Sequence, residues 1–329
     1  MNVGSYNDPP HRPGLAHFLE HMIFMGSSKY KSETAYNDHM AANGGYCNAY
    51  TEFELTNFQL QVQYSALEKA LDMCANNLAS PLLLKEAMKR ELTAVDNEFK
   101  GVVPDDMSRM IQVLKENSTE DHIFRQMAWG CRKSIYHDDD DELWKDLRKF
   151  YDDYYSADRI KLVIQCRTPD NMVQLRGWVE EYFSIIPNKN LGKQDFSKIG
   201  FGDNTSAIGK LPFEGNANEF VLQNSYQDIQ KIMFSWAIRN DDKRFDKNSM
   251  TLIRTLLDHK GKGSLFSCLT DLNYAQSFDL DENFCCKTAF RLFSMEIELS
   301  ESGLLNFREV IALVFEYLRK IKEEWLANG

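Results

Sequence analysis

Two histidines four residues apart, with a glutamate directly before the second, stand inside an otherwise apolar run, GLAHFLEHMIFMGSSKY, residues 14–30. Read as a helix over 13–25, begun near Pro13 and stopped at Gly26, the run places His17 and His21 on one face, because positions i and i+4 stack. Glu20, three residues on from His17, borders that face. Two imidazoles so placed can fill two tetrahedral positions of a Zn²⁺ ion. The glutamate is then close enough to act on a water at the ion without being a ligand. The plain alternative is a surface helix with two ordinary histidines.

A catalytic zinc usually keeps three protein ligands and one open position, so a third candidate matters. In KEAMKRELTAVDNEFK, residues 85–100, Glu91 and Glu98 stand seven apart. That is almost two helical turns, so both carboxylates share a face, with Ala94 and Val95 between them. Such pairs also occur on any charged helix surface, and spacing alone does not bring this helix to the first. The order H-x-x-E-H is the reverse of the H-E-x-x-H zinc protease motif.

The rest of the chain sets the frame. Its 329 residues suffice for two domains with a sizeable core. A formal net charge of −11 argues against nucleic acid as a partner. No apolar run reaches the roughly 18 residues a membrane span needs, and MNVGSYNDPPHR has no signal-peptide pattern. Seven scattered cysteines without a C-x-x-C spacing, Cys285 and Cys286 being neighbours, read as reduced thiols and a cytoplasmic setting.

Phe58, Leu60, Val62 and Tyr64 alternate with glutamines as a half-buried strand. Helices are expected over 65–78, 85–100, 142–156 and 170–185, with a short strand at Lys161–Cys166. The acidic run HDDDDE, 137–142, reads as a solvated loop. A polar, glycine-rich stretch covers 187–215, and its centre, 196–210, is the expected linker between a first domain, 1–195, and a second, 211–329. The second should contain a strand at Lys231–Ile238, helices at 246–258 and 264–272, a strand at Phe290–Leu299 and one long helix over 303–325. The implied fold class is α+β: two layered domains, each a mainly antiparallel sheet with helices packed on one face.

Several stretches together resemble the inverzincin metallopeptidases of the pitrilysin family, in the branch of insulin-degrading enzyme and nardilysin. They are GSYNDPPHRPGLAHFLEHMIFMGS, YCNAYTEFELTNFQLQV, ALDMCANNLASPLL, RELTAVDNEF with Glu98 77 positions after His21, FYDDYYSADRIKLVIQ, FSIIPNKNL, IMFSWAI and HKGKGSLFSCL. The resemblance runs from about residue 2 to the C-terminus. It implies that His17, His21 and Glu98 hold one zinc per chain, that Glu20 is the general base, and that Glu91 orients the site from behind the ligands. It further implies that Asn48, Ala49 and Thr51 lie on an edge strand where an extended peptide adds itself to the sheet; read from the residues alone, Asn48 is as well explained by turn chemistry after Gly44-Gly45. The implied reaction is zinc-dependent cleavage of peptides, basic ones among them.

The match departs from the family in places. The relatives are about three times as long, so the second domain is expected to be incomplete, and a C-terminal half or a second copy of the chain is an expected partner. The isolated chain should therefore cleave slowly. The stretch matching the family's anchor for substrate N-termini reads LLDHKGKGS, with Asp258 and Lys260 where Gly and Glu are usual and Gly261 and Gly263 retained. The alternative reading is a non-catalytic, peptide-binding or regulatory homologue that keeps the zinc site.

Overall fold

The histidine-bearing run forms helix α1 (Leu15–Ile23). Gly14 precedes it at φ 97°, a backbone state open to glycine. The buried carboxylate of Asp8 accepts the N–H groups of Gly14 and Ala16, both at 2.7 Å, and so caps the helix start. Burial pushes the Asp8 pKa up to about 8, against the pull of those two bonds. The structure, a computed structural model, describes residues 1–166, 172–199, 208–214, 221–227, 229–239, 249–284 and 290–328. Cys285, Cys286 and residues 200–207 of the expected linker lie outside them.

Two compact units are present, Met1–Asn216 and Ala217–Gly329. In the first, α1 is followed by α2 (Ala35–Ala42), the strands β1 (Tyr46–Thr51) and β2 (Thr56–Gln61), α3 (Tyr64–Ala79), α4 (Lys85–Val102), α5 (Asp106–Glu116), α6 (Arg132–Ile135), α7 (Asp140–Tyr154) and α8 (Met172–Phe183). β1 and β2 pair antiparallel, from Tyr46 opposite Gln61 to Thr51 opposite Thr56. The apolar side of α1 packs Leu15, Phe18, Leu19 and Met22 against Met88, Leu92 and Val95 of α4 and Leu143, Leu147 and Phe150 of α7. Each such fully buried side chain is worth about 1.5–3 kcal/mol. This packing joins the two helices that carry the candidate ligands. α3 divides its buried residues, Ala70 and Met73 going to Tyr36 and Met40, Leu67 and Leu71 to Leu175 and Trp178 of α8.

Three local expectations need correction here. The alternation through Val62 and Tyr64 does not continue as strand: β2 ends at Gln61 and Tyr64 opens α3, because Gln63 already accepts the Ala66 N–H at 2.9 Å as a helix start. The run 161–166 forms no strand; among the described residues it has no ladder partner, and Val163 is 88% exposed. A strand needs a neighbour for its main-chain groups, and alternation alone does not supply one. The acidic run is not a loop throughout: Asp139 caps α7 through the N–H groups of Asp141 and Glu142, and Asp140, Asp141 and Glu142 form its first turn, where the helix dipole favours negative charge. Residues 208–214 are bonded within the first unit, with Thr119 N–H on the Pro212 carbonyl at 2.7 Å.

The second unit is a three-stranded antiparallel sheet, β3 (Lys231–Ile238), β4 (Ala275–Phe284) and β5 (Arg291–Leu299), in the order β3-β5-β4. Helices α9 (Ser249–Leu257), α10 (Leu265–Asp271), α11 (Glu301–Leu305) and α12 (Phe307–Asn328) complete it. Its core joins Leu257, Leu265 and Leu269 to Phe278, Met295 and Ile297 of the sheet and to Val310 and Val314 of α12. The expected single helix over 303–325 is broken at Asn306, whose side chain turns back to the Ser302 carbonyl at 2.8 Å and competes with the helical ladder.

Candidate active site

α1 and α4 lie side by side, and their polar residues meet at one place. His17 Nε2 is 3.3 Å and His21 Nε2 3.6 Å from the same oxygen, Oε2 of Glu98. One ligand atom from each of the three residues lies within 4.8 Å of the others. A zinc about 2.1 Å from each of three tetrahedral donors needs them about 3.4 Å apart. Two imidazole nitrogens and one carboxylate are also a donor set that zinc takes readily. Residues and spacing therefore fit the ion.

The ring of His17 is fixed from behind. Its Nδ1–H donates to the main-chain carbonyl of Trp129 at 2.8 Å, so in the neutral ring the lone pair is on Nε2, the atom facing Glu98. That carbonyl is held where it is by two glycines. Gly130 has φ +70°, and a Cβ on Gly14 would stand 2.3 Å from the Gly130 Cα. Only two residues without side chains allow the loop to approach the start of α1 this closely. On the other ring, Glu91 Oε2 lies 3.7 Å from His21 Nδ1, and Arg90 Nε lies 3.3 Å from the other Glu91 oxygen.

The charges are mutually adjusted. Burial opposes charge on His17, but Glu98, the Trp129 carbonyl and Glu20 outweigh it and hold its pKa above the ordinary value. His17 holds Glu98 below the usual carboxylate range against the opposing effect of burial, and His21 does the same for Glu91. Glu20 is 5% exposed, and burial pushes its pKa up, against a hydrogen bond from Thr51 and the two histidines. A buried carboxyl moved toward neutral pH is suited to proton transfer.

These residues line one cleft of about 400 Å³ together with Asn48, Ala49, Tyr50 and Thr51 of β1 and Ala128 and Trp129 of the loop. Among the described residues β1 pairs only with β2. Thr56 spends both main-chain groups on Met1, at 3.1 and 2.9 Å, so Thr51 and Thr56 are a pair without main-chain hydrogen bonds between them. By the alternation of an antiparallel ladder, Cys47, Ala49 and Thr51 turn their N–H and C=O groups to the open edge. Asn48 is exposed beside them.

The eight residues expected at the zinc site and the edge strand, His17, Glu20, His21, Asn48, Ala49, Thr51, Glu91 and Glu98, thus border one cleft. The main chain of Thr51 is at the edge, and its hydroxyl donates to Glu20. Trp129 and Gly130 escaped the sequence reading. The signal was slight, a large aromatic followed by glycine in MAWGC, and a main-chain acceptor leaves no residue signature.

Residues 1–125 match the family model described as Insulinase (Peptidase family M16), and residues 144–326 the one described as Peptidase M16 inactive domain. The chain is 32% identical over 329 residues to nardilysin of Rattus norvegicus, covering 98% of this chain and 27% of that protein. It is 27% identical over 337 residues to the A-factor-processing enzyme of Saccharomyces cerevisiae, covering 100% of this chain and 31% of that one. The crystal structure of pitrilysin matches with a TM-score of 0.84 at 26% identity, covering 98% of this chain and 33% of that chain. A protease from Helicobacter pylori matches in fold, with a TM-score of 0.65 at 19% identity, covering 99% of this chain and 78% of that chain. The chain thus spans 27% and 31% of the length of these two curated relatives.

Proposed function

Because the chain belongs to peptidase family M16, we propose that it is the zinc-binding part of a metalloendopeptidase in which His17, His21 and Glu98 hold one zinc ion and Glu20 is the general base. The observation that carries this reading is the convergence of two imidazole nitrogens on one Glu98 oxygen, at 3.3 and 3.6 Å, in a cleft that also contains a buried glutamate. When bound, zinc would polarise a peptide carbonyl and acidify water at the site.

The chain's own residues do the rest. Glu20 takes the proton of the attacking water and returns it to the leaving amine. Glu91 steadies His21 from its far side, as the Trp129 carbonyl steadies His17. A peptide lies extended along the open edge of β1, bonded to the main chain of Ala49 and Thr51 and flanked by Asn48. Glu20, Glu91 and Glu98 make the cleft acidic, which favours basic peptides. A cytoplasmic setting belongs to the same reading, and no helix among the described residues is long and apolar enough to cross a membrane. The match described as an inactive domain covers 144–326 and includes none of these site residues.

Metal analysis of the purified chain tests the proposal. About one zinc per chain is expected, lost in the His17→Ala, His21→Ala double variant. Zinc content unchanged by that pair of substitutions would overturn it.

A further inference from the structure

The cleft has two unlike ends. At the C-terminal end of α1 stand Phe24 and Met25; at the His17 end the wall is Ala128 and Trp129. Trp129 is 46% exposed and stands edge-on to His17 with centroids 6.3 Å apart. It is not carried by a loose loop. Its own carbonyl is bonded to His17, Gly130 is packed on Gly14, the Arg132 N–H donates to Asp96 of α4 at 3.1 Å, and the Ser134 hydroxyl donates to the Pro13 carbonyl at 2.8 Å. The main chain under the indole is thus tied to both helices that carry the ligand residues.

A large apolar ring held in advance at the mouth of a cleft loses little entropy when a partner covers it, and it gains the full burial of its face. We propose that the Trp129 indole is a side-chain subsite that receives an aromatic or large aliphatic residue of a peptide bound along β1. This rests on the peptide-cleaving reading above and adds a selectivity to it. Of the cleft residues on that side, Ala128 is apolar and the Glu98 carboxylate is turned to the two histidines, so the indole face is the main surface that end offers to a side chain.

The test uses the full 329-residue chain carrying Glu20→Gln, so that peptides bind without turnover. Fluorescein-labelled host peptides of Gly and Ser carry one guest residue, Phe, Leu, Ser or Arg, at each position in turn, and binding is read by anisotropy. At one position Phe and Leu should bind about tenfold more tightly than Ser, as expected for burying such a side chain. Trp129→Ala should bring that ratio to within about twofold, Trp129→Phe should retain much of it, and both should keep zinc, since every substitution leaves the carbonyl on His17. An unchanged ratio in Trp129→Ala, or a preference for Arg at that position, would overturn the subsite. Failure of the parent chain to bind any of the peptides would instead overturn the peptide-cleft reading itself, and the subsite with it.

Discussion

The Thr51 hydroxyl donates a hydrogen bond to Glu20 Oε2 at 2.5 Å, and so ties the edge strand β1 to the proposed base on α1. The carboxylate gains a charge-assisted bond at a place where burial disfavours its charged form. Hydrogen bonds to charged groups are worth about 1.5–3 kcal/mol. Thr51→Val, which keeps the shape and removes the donor, should lower kcat/KM about 10- to 100-fold with zinc content unchanged. Thr51→Ser should restore most of the loss. Equal rates in the parent and the valine variant would mean that this bond does not serve the base.

Glu20→Gln should keep zinc and lose hydrolysis by about 10² to 10⁴ or more, because an amide cannot take up the proton. Zinc analysis and a peptide-cleavage assay on the same sample decide this. Undiminished cleavage would remove Glu20 from its role.

Gly130→Ala should affect both stability and the metal. At φ +70° its Cβ would meet the Gly14 Cα at 2.6 Å and the Ile135 side chain at 3.0 Å. Strain of about 1–3 kcal/mol follows, seen as a lower Tm, or else the loop withdraws and the Trp129 carbonyl leaves His17. The loss of such an outer partner typically costs about 10- to 100-fold in metal affinity. A zinc-competition titration alongside thermal unfolding tests it; unaltered Tm and zinc affinity would contradict the packing argument.

His122 should make the fold sensitive to acid. It is 4% exposed and neutral by its bonding: Nδ1 accepts the Phe124 N–H at 3.1 Å and Nε2–H donates to the Lys210 carbonyl at 3.3 Å. Burial pushes its pKa down to about 4 against the pull of that carbonyl. The unfolded chain, with a histidine pKa of about 6.5, takes up the proton first as pH falls. Stability from the neutral ring is therefore complete above about pH 6.5 and is lost progressively down to about pH 4, about 3 kcal/mol in all. Urea unfolding across this range, with a chelator present so that metal release does not contribute, should show a shallower pH slope for His122→Gln than for the parent. Identical slopes would assign the acid sensitivity elsewhere.

Periodicity was enough to put His17 and His21 on one face with Glu20 at its border, and to put Glu91 and Glu98 on one face of a second helix, because α-helical geometry is local and repeats every 3.6 residues. The strand Lys231–Ile238 was legible as a short apolar run, KIMFSWAI, which is also a local signal. What no local rule contains is which faces meet. Glu98 reaches both histidines because Leu19 and Met22 of α1 and Leu92 and Val95 of α4 share one apolar cluster, so the core positions the site. Thr51 turned out to hold Glu20, and Trp129 to hold His17, through partners 31 and 112 residues away in the chain. The run 161–166 shows the converse, a strand pattern left without a ladder among the described residues. A helix closes its hydrogen bonds within itself and so can be read from its own residues. Strand pairing, main-chain acceptors and glycine-to-glycine contacts take their partners from distant parts of the chain, and only the folded packing decides them.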